Sequence, residues 1–256
     1  MQSKYERKLQ EFCIMDDTFM SKVFESHNEL VQLMLQIILQ KNDLIVKSST
    51  VQKEIKSVGG HSVRFDVHAV DSTKKEYDIE VQRSDDGAIP QRARYNSAML
   101  DSDMLKSGTN YNSLKESYVI FITENDIFGK GLPIYTIKRT IEEINEFFND
   151  GSHIIYVNGS YRGNNDIGKL MHDFHCINSN DMNYKPLADR VSYFKNTEGG
   201  KYAMCKIMKE LLNEQEVENK NKYAKNLILQ GNLSLEDISK SLEMPIEDVQ
   251  EIAEKI

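Results

Sequence analysis

The run SYVIFITE at residues 117–124 limits the fold more than any other stretch of the chain. Tyr118, Val119, Ile120, Phe121 and Ile122 follow one another without a polar break, and β-branched and aromatic residues fit a pleated strand. Successive strand side chains point to opposite faces, so a run that is apolar at every position needs cover on both. A sheet holding such a strand lies between two layers of other elements. At 256 residues the chain is long enough for one sizeable domain, or for a domain with an appendage.

The flanking segments supply the layers. Phe19, Val23, Leu30, Val31, Met34, Ile37 and Ile38 recur mostly at three- and four-residue steps, which predicts a helix over 16–41 with one face on a core. Residues 50–58 and 62–70 read as a hairpin turned at Gly59-Gly60, and 76–83 as a third strand. SDDGAIP at 84–90 reads as a loop, with Pro90 opening a helix to about Leu105. Strands are expected at 132–139 and 152–159, with a helical stretch to Phe148 between them. This order is that of a mixed α/β sheet flanked by helices. From about residue 166 the pattern is helical, broken by NTEGG at 196–200. A Lys/Glu-rich helix then runs to about Gln230, and two short helices follow. Ser234 with Asp237 forms a capping-box-like pair for the first, and Pro245 opens the second. The expected division is a domain over 1–196, with its core at about 12–160, and an all-helical extension over 197–256.

Composition narrows the function classes. Hydrophobic content of 39% and charged content of 28% describe a soluble globular chain. No apolar run reaches the roughly 18 residues that span a bilayer. The opening MQSKYERKLQEF has no signal-peptide core, so the expectation is a cytoplasmic protein with no membrane partner. Cys13, Cys176 and Cys205 are odd in number and far apart, which fits reduced thiols. His172 and His175 in HDFHC lack a further ligand pair nearby, and no organic cofactor is expected. A net charge of −8 gives no non-specific affinity for phosphate, so a DNA site would need local basic residues or a bridging cation.

Two acids then stand out. RFDV at 64–67 and DIEVQ at 78–82 set Asp66 and Glu80 among Phe65, Val67, Ile79 and Val81. Strand alternation groups Asp78, Glu80 and Gln82 on one face, with Ile79 and Val81 on the other. One reading is that the polar set faces solvent. The other is that Asp66 and Glu80, on adjacent strands, converge on a divalent cation. Mg2+ typically takes one or two carboxylates, several waters and a substrate phosphate, and Gln82 would return to the same face beside them.

The segments DDTFMSKVFE (16–25), SVRFDVHAVD (62–71), YDIEVQR (77–83), RARYNSAMLD (92–101), YVIFITENDIFGKGLPIY (118–135) and HIIYVNG (153–159) resemble, in order and spacing, the PD-(D/E)xK nuclease superfamily. Within it, the resemblance is to the recombination-promoting nuclease/putative transposase family. It implies a restriction-endonuclease-like core and an Mg2+-dependent DNA endonuclease, with Mn2+ as an alternative metal. Asp66 and Glu80 match the two motif acids and would be the metal ligands. Gln82 stands where many superfamily members carry lysine; the family resembled commonly shows glutamine there. An ammonium can stabilise negative charge and orient water, whereas an amide can only hydrogen-bond. Asp16 matches the family's acid on the first helix, with N-cap as its competing role. Glu25, nine residues on at roughly 100° per residue, falls on the opposite side.

Arg92, Arg94 and Tyr95 begin the helix after the acidic strand. Arg92 and Arg94, joined by Arg83, could contact DNA phosphates; the alternative is an amphipathic surface helix with Arg–Asp pairing. The tail over 226–256 reads as a small helix-turn-helix with Leu235, Ile238, Leu242, Ile246, Val249 and Ile252 inward. It carries seven acidic residues and only Lys240 and Lys255 as basic ones, which favours packing or protein interaction over groove reading. The function expected is therefore phosphodiester hydrolysis of DNA in recombination or transposition, with a homodimer if both strands are cut. The alternatives are an interaction or DNA-scaffolding protein without catalysis on the same fold, and a nuclease acting on RNA.

Overall fold

The computed structural model describes residues 4–57 and 60–256. It divides into two compact units: Gln10–Thr197, and Glu198–Ile256 together with the described residues up to Leu9.

After α1 (Lys4–Glu11), the long helix expected over 16–41 is two helices, α2 (Asp17–Phe24) and α3 (Asn28–Leu39). Ser26 between them has φ 60°, a left-handed conformation that no helix can continue through. The apolar spacing spans the break, because Phe19, Val23, Leu30, Val31, Met34 and Ile38 are all buried.

Strands β1 (Val46–Ile55), β2 (Val63–Asp71) and β3 (Glu76–Gln82) form an antiparallel meander. The Gly59-Gly60 turn expected between the first two lies partly outside the described residues. The loop expected at 84–90 holds a short 3-10 turn, Asp85–Ala88, and Pro90 opens α4 (Pro90–Met104). This helix is the crossover that a parallel pair of strands requires. It delivers the chain to β4 (Ser117–Thr123), which runs parallel to β3.

The strand expected at 132–139 is β5 (Ile134–Ile137), but the helical stretch expected after it, up to Phe148, is instead a small hairpin, β6 (Thr140–Ile141) and β7 (Glu146–Phe147). Asn145 and Asn149 adopt φ of 53° and 49°, conformations that asparagine tolerates and a helix interior does not. Ile144, Phe147 and Phe148 are exposed, so the apparent helical stripe had no core to pack on. Strand β8 (Ser152–Asn158) then enters the sheet between β4 and β5, parallel to the first and antiparallel to the second. The six-stranded order is β1-β2-β3-β4-β8-β5.

Every residue of β4 is buried, as its apolar run requires. On one face Val119 and Phe121 pack with Tyr156 of β8, with Ala88 at the end of the 3-10 turn and with Ala93 in the first turn of α4. Tyr118, Ile120 and Ile122 on the other face are equally buried. Helices α5 (Asp166–His175) and α6 (Lys185–Asn196) complete this unit. The protein thus has a mixed α/β sheet flanked by helices, the restriction-endonuclease-like architecture.

In the other unit α7 (Glu198–Gln230) begins one residue after α6 ends, so NTEGG interrupts the helical pattern only at Thr197. Gly199 and Gly200 fall in the first turn of α7, where the cost of glycine is small. Helices α8 (Leu235–Leu242) and α9 (Ile246–Glu254) pack on α7 through Ala224, Ile238, Met244 and Val249. Ser234 Oγ accepts the Asp237 N–H at 3.1 Å and donates to the Asp237 carboxylate at 2.7 Å.

Candidate active site

The antiparallel register pairs Val67 with Ile79 and His68 with Asp78, so the next step along both strands brings Asp66 opposite Glu80. Regular pairing of β2 with β3 stops just before these acids. On the other side of β2, Gln52 takes φ 53° and drops out of the β1 ladder between Val51 and Lys53. The sheet therefore opens at this point, and Asp66 uses its carboxylate to accept the Val81 N–H at 2.9 Å.

The polar face of β3 is not solvated. Asp78 and Glu80 are fully buried and Asp66 is 9% exposed. The cover is α4: Asn96 Nδ2 donates to Asp78 Oδ2 at 2.9 Å, and Arg92 Nη2 donates to Glu80 Oε2 at 2.5 Å. Glu80 Oε1 and Asp78 Oδ1 are buried and receive no donor from outside the acid group, while a hydrogen bond between the two carboxyls bears on the acidity of both. Three carboxyl groups at the end of one strand pair thus share few donors, and their acidity responds. Burial, then repulsion from Glu80, pushes Asp66 up to about 7. Burial also raises Glu80, against the opposing pull of Arg92, and raises Asp78 strongly, with the Glu80 charge adding to it.

Gln82 lies beside this group. Its Nε2 donates to Glu80 Oε2 at 3.2 Å, and its Oε1 accepts from Arg92 Nη1 at 3.3 Å. Gly87 leaves the room: a Cβ there would overlap Gln82 Oε1. Asp66, Gln82 and Arg92, with Asp16, Asp17, Gln52, Arg64 and Arg83, line an open cleft of about 1110 Å3.

Asp16 sits at the N-cap position of α2, but its side chain makes no cap bond. Its carboxylate accepts the Cys13 N–H at 2.8 Å and lies 3.2 Å from Arg83 Nη1. Its neighbour Asp17, which sequence reasoning left aside, is the first-helix acid whose charge bears on both Asp66 and Glu80. Gln52 Nε2 holds it at 2.9 Å. The signal was present in the adjacent acids DD, but only the turn of α2 against β1 selects between them.

Of the three expected phosphate contacts, Arg92 reaches the acids, while Arg83 is engaged by Asp16, Glu124 and the Cys13 sulfur. Arg94 is exposed on α4 and does not line the cleft. His172 contacts Asp173 and His175 contacts the Met171 carbonyl. Among the described residues no three His, Cys, Asp or Glu side chains gather closely enough to form a metal cage. A hard cation that keeps most of its waters needs only one or two carboxylates. The donor set suits one: Asp66 on the wall of an open cleft and the buried Glu80 opposite it, two mutually repelling acids.

No curated protein and no solved structure matches the chain. No helix among the described residues is long and apolar enough to cross a membrane. A family model described as PD-(D/E)XK nuclease family transposase matches residues 19–160, more than half of the chain. That stretch runs from α2 to just past β8 and contains Asp66, Gln82 and Arg92, which line the cleft, and the buried Glu80 that Gln82 and Arg92 contact. By its fold and by this match, the chain belongs to the PD-(D/E)XK nuclease family transposases.

Proposed function

We propose that the protein is a divalent-metal-dependent DNA endonuclease, serving recombination or transposition in the cytoplasm, with Asp66 and Glu80 as the metal ligands. The observation that carries this reading is the pairing of two buried acids across β2 and β3, with Asp66 on the wall of the cleft. Burying like charges side by side is costly unless a cation compensates them. Mg2+ or Mn2+ bound there supplies Lewis-acid polarisation of a phosphoryl oxygen and a more acidic bound water.

The chain's own residues do the rest. Asp66 is held by the Val81 amide and Glu80 by Arg92, so both carboxylates are pre-oriented. The Gln82 amide stands beside them to hydrogen-bond the attacking water. Asp17 adds a third negative charge from α2. Arg64 at the cleft wall is exposed and free to meet a backbone phosphate. Cutting both strands of a duplex would engage two such sites, hence a homodimer.

Supercoiled plasmid incubated with Mg2+, Mn2+ or EDTA tests this. The parent nicks it with either metal and not in EDTA, and Asp66→Ala loses at least about a hundredfold in rate. Equal rates for parent and variant reject the assignment. A folded parent that cuts neither plasmid nor RNA supports the second reading, an interaction or scaffolding protein, which the uncharged Gln82 favours.

A further inference from the structure

Arg92 makes contacts that a phosphate-binding arginine does not need. Besides the 2.5 Å bond to Glu80 Oε2 and the 3.3 Å bond to Gln82 Oε1, it donates to the Gly87 carbonyl at 3.0 Å. Its guanidinium lies 5.9 Å from the centroid of the Phe121 ring. The Arg92 side chain is still 37% exposed, while the Glu80 carboxylate it holds is fully buried.

These contacts settle two orientations. A guanidinium is a rigid planar fork of donors, so it holds the Glu80 carboxylate by one oxygen and leaves the Asp78 carboxyl to bond the same group from the other side. By donating to Gln82 Oε1 it also turns the Gln82 NH2 toward Glu80. The charge matters as much as the geometry. An amide at position 82 carries none, and Arg92 delivers a permanent one from α4 to the same place.

We propose that Arg92 is the positioning residue of this site: from α4 it supplies the fixed positive charge that Gln82 lacks and orients the Glu80 carboxylate and the Gln82 amide. The proposal rests on the reading of Asp66 and Glu80 as cation ligands. It has a consequence that a phosphate contact lacks. Arg92 and a divalent cation share one carboxylate and repel each other, so the guanidinium weakens metal binding while it assists the reaction.

Mn2+ titration by calorimetry and steady-state plasmid cleavage test it on the parent, Arg92→Gln, Gln82→Lys/Arg92→Gln and Asp66→Asn, each checked for folding by circular dichroism. Arg92→Gln is expected to bind Mn2+ about three- to tenfold more tightly and to lose about a hundredfold in kcat, with KM for plasmid within about twofold of the parent. Lysine introduced at position 82 in that background is expected to restore at least about tenfold of the rate. An unchanged Mn2+ affinity, or a raised KM at unchanged kcat, overturns the proposal and makes Arg92 a phosphate contact. So does a double variant no faster than Arg92→Gln. Asp66→Asn binding Mn2+ like the parent rejects the cation site itself, and this proposal with it.

Discussion

Burial and the Glu80 charge push the Asp66 carboxyl up to about 7, against an ordinary value of 3.8. The folded protein therefore holds this proton more tightly than the unfolded chain does. Stability from this group is fully present below about pH 3.8 and is lost as pH rises through about 7. Asp66→Asn keeps an oxygen for the Val81 N–H and removes the charge. In EDTA at pH 8 this variant is expected to be about 1–3 kcal/mol more stable than the parent, with the gap closing toward pH 4. Thermal melts at the two pH values check this, and a variant less stable than the parent at pH 8 contradicts it. Asp66 and Glu80 stood out as candidates in sequence because two short apolar strands each carried an unneeded acid, and the structure sets them side by side with Gln82 next to Glu80. The burial of Asp78 was not, since alternation alone cannot tell a solvated face from one covered by a helix.

At the scale of elements, α4 is the cover that makes the site. Ala93 packs on the sheet, while Arg92 and Asn96 reach Glu80 and Asp78. Pro90 and the preceding 3-10 turn set where this helix begins. Asn96→Ala removes the side-chain amide that donates to the fully buried Asp78, and is expected to cost about 1–3 kcal/mol. Urea unfolding in EDTA measures it, and a change below about 0.5 kcal/mol contradicts the role given to the helix. The strands of the sheet were readable from runs of apolar and alternating residues. The segment 140–148 was not, because its apolar spacing mimics a helix while Asn145 and Asn149 turn the chain. Asp16 and Asp17 also belong to this scale: both line the cleft from the start of α2, Asp16 paired with Arg83 and Asp17 held by Gln52.

For the whole molecule, the formal charge of −8 sets the condition on any encounter with DNA. General attraction to phosphate is missing, so binding depends on the cleft: its arginines and whatever cation its acids hold. The helices of the second unit form their own small core around Ala224, Ile238, Met244 and Val249, and the acidic excess of residues 226–256 gives α8 and α9 little to offer a DNA groove. The central claim concerns the first unit alone: Asp66 and Glu80 together make a divalent-cation site. Anomalous diffraction from Mn2+-soaked crystals tests it most directly. A peak is expected within about 2.5 Å of a carboxylate oxygen of each acid, and none there in Asp66→Asn crystals. A strong peak elsewhere in the cleft with Asp66 and Glu80 unliganded, or the same peak in the variant, would contradict it.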